Sequence, residues 1–403
     1  MADLGIKSEE KKLEGFVPEL EDKRRTGAIF SICPRIHILF LVSVGLLILY
    51  YGIRENKSLM TAYTEGFLMN YHRIMSNFFS EFRLSVAEIC YAIAVIFAVR
   101  QLFRAVVLIV KEGQKLKRVY ITVLGLVSSA LAIYAFICFF WGAYYYGRSF
   151  SEKSGIEAKP VAVEELAAVT EWFAEAVNEN NELLSRTWEE RKIRFGSSRE
   201  EEVVYHITRE NIYNNICEKY PFLTVKNYRN NAKAKPVLFS YIMSHMNFTG
   251  FFFPLTGEAN VNIHSPYFLT PATIAHEFAH QAGVAKEDEA NFVAVMAGME
   301  SEDPFVRYSC AMLAYIHLSN ALYGADYDSW KETRDMLCED ARREMSENNE
   351  YWSQFESKVS TASEAVYTSF LQGQGQELGI RSYGACVDLL VAYYLEDALA
   401  ARD

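Results

Sequence analysis

Between Ile36 and Tyr146 the chain carries three long apolar runs, and a backbone in lipid must satisfy its own polar groups, so each run has to be a helix. The first, Ile36–Ile53, lies between Arg35 and Arg54. The second runs from about Leu84 to Val110 and is broken by Glu88, Arg100 and Arg104. The third, Val119–Tyr146, has no charged residue and ends in Trp141, Tyr144, Tyr145 and Tyr146, an aromatic cluster suited to the membrane–water boundary. Two further runs follow the first, and it starts 35 residues in, so it reads as a retained anchor rather than a cleaved signal. The second run also fits a buried soluble helix. In that case the large C-terminal part changes sides.

Orientation is read from lysine and arginine in short flanks. Lys23, Arg24, Arg25 and Arg35 precede the first run, and Lys111, Lys115, Lys117 and Arg118 join the second to the third. Both clusters are expected in the cytoplasm. The chain is then a multi-pass cell-membrane protein with residues 1–34 as a polar cytoplasmic tail, 35–146 as the membrane region (helices near 36–53, 84–110 and 119–146), and 147–403 as an extracytoplasmic domain. The aromatic-rich stretch Glu55–Arg83 is expected on the outer membrane surface. A net charge of −11 without a basic stripe argues against a nucleic-acid partner. None of the seven cysteines forms a CxxC pair, which argues against a cysteine-based metal finger. Cys217, Cys310, Cys338 and Cys386 fit either disulfides or buried free thiols.

In the C-terminal part, amphipathic spacing predicts helices over Val161–Arg186 and Glu200–Tyr220. Pro236–Ile263 reads as short strands joined by turns at Gly250, Pro254 and Gly257. Helices are then expected over Pro271–Ala282, Lys286–Met299 and Pro304–Tyr323, over a long charged stretch Tyr327–Ser360, and over Tyr383–Leu399. No repeat is evident. The expected fold is three transmembrane helices followed by a mostly helical α+β domain.

The chemistry lies in Leu269–Val293, LTPATIAHEFAHQAGVAKEDEANFV. Thr270 is expected to cap a helix, Pro271 to open it and Gly283 to close it. His276 and His280, four apart, share a helix face and can converge on one zinc ion. Glu277 then stands beside the metal, where it can take a proton from activated water and pass it to a leaving amine. Zinc over manganese or cobalt follows from ligand type. A catalytic zinc needs a third protein ligand. A carboxylate from the next helix start, Lys286-Glu287-Asp288-Glu289, can supply it. The same acids also suit a helix N-terminus on electrostatic grounds alone. His264 and His317 are rival ligands. Gly257–Asn262 reads either as an edge strand that pairs with extended substrate or as a core strand with a turn. Tyr267 and Tyr383 are candidate donors to a tetrahedral oxyanion.

HExxH followed by a helix carrying ExxAN resembles the glutamate-zincin metallopeptidases. That resemblance implies a zincin-like domain and makes Glu287 the third ligand, with Asn291 supporting the site one turn on. The short connection from His280 to Glu287 departs from the commoner members and keeps Glu289 in contention. The stretch GFFFPLTGEANVN … TIAHEFAHQAGVAKEDEANF is also similar to an uncharacterised bacterial membrane family, the domain of unknown function 3810 family. Its members place membrane helices ahead of an HExxH domain. The expected function is a membrane-anchored zinc metallopeptidase acting on a peptide or protein at the bilayer boundary. The alternative is a zinc-containing membrane receptor or signal transducer without general proteolytic activity.

Overall fold

The computed structural model describes residues 33–111, 115–184, 204, 207–223, 232–376 and 383–402. Among these, three helices are long and apolar enough to cross a membrane. They are α1 (Pro34–Ile53), α4 (Val86–Lys111) and α5 (Lys115–Phe140). Between the first two lie α2 (Lys57–Tyr63), a π turn at Thr64–Leu68, and α3 (Met69–Phe79). The expected surface stretch 55–83 is thus largely helical. Asn56 starts α2 by accepting the Leu59 N–H at 3.0 Å.

By contact the chain divides into two compact units, Met1–Leu47 with Ala98–Ala135, and Ile48–Phe97 with Phe136–Asp403. In the first, His37 Nε2 lies 2.9 Å from the Tyr120 hydroxyl. The Ser128 hydroxyl turns back on its own helix, donating to the Leu124 carbonyl at 2.6 Å. The expected tail 1–34 lies almost wholly outside the described residues.

The second unit holds one end of each apolar helix and all of the C-terminal part. After Phe140 the chain leaves α5 in a 3₁₀ turn, Gly142–Tyr146, with Tyr144 and Tyr145 buried. The aromatic cluster is therefore not a lipid-facing girdle. It packs into the protein, with Tyr144 stacked on His72 and Trp141 against Phe252. Next come α6 (Phe150–Ser154), α7 (Val163–Leu184), α8 (Arg209–Tyr213) and α9 (Ile216–Lys219). The single helix expected over 200–220 is instead two short ones in its described part. Thr208 starts the first with a reciprocal cap to Asn211.

A three-stranded sheet follows, from β1 (Lys235–Val237), β2 (Gly250–Phe253) and β3 (Glu258–Asn262), in the order β1-β3-β2. β1 is parallel to β3 and β2 antiparallel to it, with Phe251 opposite Asn260. β3 is the middle strand, fully buried, so the edge-strand expectation for Gly257–Asn262 is overturned. A short helix, α10 (Ser240–His245), stands where only strands and turns were expected.

The remaining helices are α11 (Thr270–Gln281), α12 (Glu287–Met299), α13 (Pro304–Ala325), α14 (Tyr327–Met336), α15 (Glu339–Ser353), α16 (Lys358–Gly373) and α17 (Tyr383–Ala400). The charged helix expected over 327–360 is broken at Leu337–Cys338, where the backbone turns extended, and again before Ser357, which caps α16. Helical charge periodicity continues across both breaks, which is why the pattern hid them. The core lies where α7, α11, α12, α13 and α17 meet, around Phe173, Phe278, Phe292, Tyr308 and Tyr315. α12 is apolar on almost every face from Ala290 to Gly298 and buried on all of them, the mark of a central helix. All seven cysteines are free thiols.

Candidate metal centre

α11 and α12 form a tight hairpin. Pro271 fits the first turn of α11, as expected. Thr270 is already inside the helix rather than capping it, because a 3₁₀ turn at Tyr267–Leu269 feeds α11 directly. The unpaired Ala272 N–H is met by the Ser309 hydroxyl of α13 at 3.0 Å. At the far end Gly283 takes the left-handed conformation, φ +85°, and closes the helix as expected. Arg209, buried, sets its guanidinium on the Phe278 carbonyl and on Gln281 Oε1, which places positive charge at the negative end of α11. Gln281 in turn donates to the Gly257 carbonyl and to Ser76, both at 2.8 Å. The helix is thus fixed at both ends by groups from α3, α8, α13 and the sheet.

This frame brings His276, His280 and Glu287 together. The Glu287 carboxylate faces both imidazoles, with Oε2 3.2 Å from His276 Nε2 and Oε1 3.6 Å from His280 Nε2. The rings stand nearly perpendicular, their centroids 4.5 Å apart. Each Nδ1 is engaged away from the cluster. His276 Nδ1 lies 2.8 Å from Asn291 Oδ1, and His280 Nδ1 lies 2.7 Å from the Val284 carbonyl. A carbonyl acceptor requires that Nδ1 carry the proton, which leaves Nε2 free to face inward. Asn291, one turn on from Glu287, thus orients His276 from outside the cluster. Donors at about 2.0–2.1 Å from a tetrahedral cation lie roughly 3.3–3.4 Å from one another, close to the 3.2 and 3.6 Å separations of Glu287 from the two imidazoles. Glu289 goes elsewhere. It accepts the Phe150 N–H at 2.8 Å and pairs with Lys286 at 3.4 Å.

Electrostatics follow from the same contacts. Burial opposes charge on His280, but Glu287 outweighs it and pushes the imidazole up to about 9. Burial likewise opposes charge on Glu287, and the two imidazoles, His280 foremost, hold it well below the ordinary carboxylate range. Glu277 lies deeper. Its Oε2 has no hydrogen-bond partner, and burial pushes the carboxyl up to about 7 against the pull of both histidines. A Cβ at position 250 would come within 2.5 Å of Glu277 Oε1, so any larger residue there would displace that carboxylate.

Sequence reasoning missed the surrounding wall. The Tyr367 hydroxyl of α16 donates to Glu287 Oε1. Trp141 meets His280 edge to face at 5.3 Å. Tyr145 is buried nearby and, after burial, feels the Glu287 charge most. No spacing rule links positions 141, 145 and 367 to an HExxH helix. Of the rival ligands, His264 is exposed and outside the cluster. His317 on α13 is also outside it, its imidazole pushed down to about 4 by burial and then by His276. The Tyr267 hydroxyl is engaged by Glu344 Oε1 at 2.6 Å. Tyr383 opens α17, and its side chain lies outside the described residues.

Apolar helices long enough to cross a membrane, joined to a helical domain with a His-His-Glu cluster at its centre, define a membrane-associated protein with a candidate cation site. The chain belongs to the family described as "Protein of unknown function (DUF3810)", which matches residues 63–391. Neither the curated proteins nor the solved structures contain a match.

Proposed function

We propose that this chain is a membrane-anchored, zinc-dependent peptidase, with its N-terminus cytoplasmic and its C-terminal part on the opposite side. The observation that carries the reading is one arrangement: a carboxylate facing two imidazole Nε2 atoms, beside a second buried carboxylate with an unpartnered oxygen. His276, His280 and Glu287 would hold the ion. Three protein ligands leave one position open, as a catalytic site requires and a structural site does not. When bound, zinc supplies Lewis acidity that makes hydroxide available near neutral pH.

Glu277 is the general base. Its carboxylate would take a proton from the activated water and return it to the leaving amine. Gly250 keeps the space above it open. Trp141 and Tyr145 shield the cluster from water, which strengthens every charge interaction inside. β2, an edge strand passing over Glu277, is the place for an extended substrate to pair, the role expected of Gly257–Asn262.

The test is Glu277→Gln in the full-length protein. Metal content, measured by mass spectrometry of the purified protein, should be unchanged. Release of surface and secreted peptides, compared by proteomics with wild type, should fall about 10²–10⁴-fold. Peptide release that survives Glu277→Gln but is lost in His280→Ala would leave a metal-dependent role without peptide hydrolysis, and the peptidase reading would be wrong.

A further inference from the structure

The start of α4 is keyed to the sheet by reciprocal hydrogen bonds. Glu258 of β3 accepts the Val86 and Ala87 N–H groups at 3.3 and 3.2 Å. Ser85 donates to Asn260 Oδ1 at 2.6 Å. In return Glu88, two residues into α4, accepts the Leu238 and Phe239 N–H groups at 3.0 and 2.8 Å. The membrane-crossing window of α4 is Val86–Val107. At about 1.5 Å per residue, Glu88 lies roughly 3 Å below the point where that window begins. The backbone of Leu238 and Phe239 is therefore at the same level. Farther along, Tyr91 meets the rings of Phe251 and Phe253 on β2 at 6.0 and 5.4 Å.

At this level the protein exposes large apolar side chains. Leu238, Phe239, Tyr241 and Ile242 are 55–59% exposed. From Pro236 to Gly257 there is no Asp, Glu, Lys or Arg. In water such a surface is unfavourable. At a bilayer boundary, burial of about 5–10 Å is what amphipathic surfaces achieve. Backbone N–H groups entering lipid need internal acceptors, and Glu88 supplies two of them. The same contacts account for an acidic residue inside a membrane helix, since Glu88 is buried at 8% exposure and faces protein.

We infer that Leu238–Ile242 is a ledge that rests in the lipid interface beside α4 and holds the edge strand β2 at the bilayer surface. The partner is the acyl-chain and headgroup boundary of the membrane that α4 crosses. The inference rests on the membrane-crossing reading of α1, α4 and α5, and is independent of zinc and of peptide hydrolysis. If the site is a peptidase, its substrate strand lies along the membrane, which favours segments adjoining a membrane anchor.

The experiment uses the full chain in phosphatidylcholine vesicles containing a phospholipid with a photoactivatable diazirine on its acyl chain. After irradiation, labelled peptides are mapped by mass spectrometry. Label is expected on peptides covering 236–246 as well as on α1, α4 and α5. Label on the three helices with none on 236–246 overturns the ledge while keeping the membrane reading. No label on the helices removes both. The double variant Phe239→Ser with Ile242→Ser should lose about tenfold of the label at 236–246, with the helices labelled as before. Unchanged label there would also overturn the proposal, because the side chains would not be what holds the ledge in lipid.

Discussion

Around the sheet and the start of α6, buried carboxylates are occupied mainly by backbone N–H groups. Glu258 and Glu88 hold the N–H groups where α4 and α10 begin, and Glu289 holds the first N–H of α6. Between α11 and α12 the carboxylates are used differently. Glu287 faces two imidazoles and a tyrosine hydroxyl, and one oxygen of Glu277 has no partner. Residue type and burial barely distinguish Glu258 from Glu277, both 3% exposed. The contacts of their oxygens do. A carboxylate satisfied by helix-start N–H groups stabilises the fold, whereas one left unsatisfied lowers stability and is retained where chemistry needs it.

Removing one member of each set should produce opposite results. Glu258→Ala deletes the acceptor for two backbone N–H groups and the Thr256 hydroxyl, and should cost about 3 kcal/mol or more. Glu277→Gln removes an unsatisfied buried acid and should leave the unfolding temperature unchanged or raised at neutral pH. Thermal unfolding of the detergent-solubilised variants reads both. A destabilised Glu277→Gln protein would erase the distinction.

A smaller effect is expected at Tyr367. Tyr367→Phe removes the donor to Glu287 Oε1 but keeps the ring that packs on Phe248. Affinity for the cation should fall about 10–100-fold, as for other groups that orient a ligand. Competition with a zinc-sensitive dye measures this. Unchanged affinity would mean that the histidines alone orient Glu287.

A pH trend is also expected in chelator-treated protein. His280 is raised to about 9, so its pairing with Glu287 stabilises fully below its unfolded value near 6.5 and is lost as pH rises through 9. Glu277, raised to about 7, works in the same direction, because ionising it costs more in the folded state. Glu287, held low, contributes above its unfolded value near 4.5 and is lost only in acid. The unfolding temperature should therefore be highest near pH 4.5, decline first through the Glu277 range and then further through the His280 range toward pH 9. A profile that rises toward pH 9 would reverse the assignment of charge in the cluster.

The helical hairpin was legible because its signals are local. Pro271, the His276–His280 spacing and Gly283 all fall within one short stretch, and α11 and α12 form close to where the sequence places them. Choosing Glu287 over Glu289 needed coordinates. Two residues apart on a helix means about 200° of rotation, so one acid meets the histidines and the other the α6 N-terminus. Strand order was also beyond the sequence, since both segments are short and the polar Glu258, Asn260 and Asn262 of the middle strand read as an exposed edge until their buried partners are seen. The breaks within 327–360 depended on Leu337 and Ser357, ordinary residues in a charged run whose role as hinge or cap appears only when neighbours are packed against them.

Trp141, Tyr144 and Tyr145 enter the chain directly after α5, yet they form part of the enclosure of the histidine cluster, with Tyr144 lying where a side chain at Gly283 would go. A water-soluble fragment beginning after Tyr146 would retain every candidate ligand and lose one side of the room that holds them. Loss of cation binding in such a fragment would report a missing wall, and the unit to assay is the chain with residues 34–146 attached.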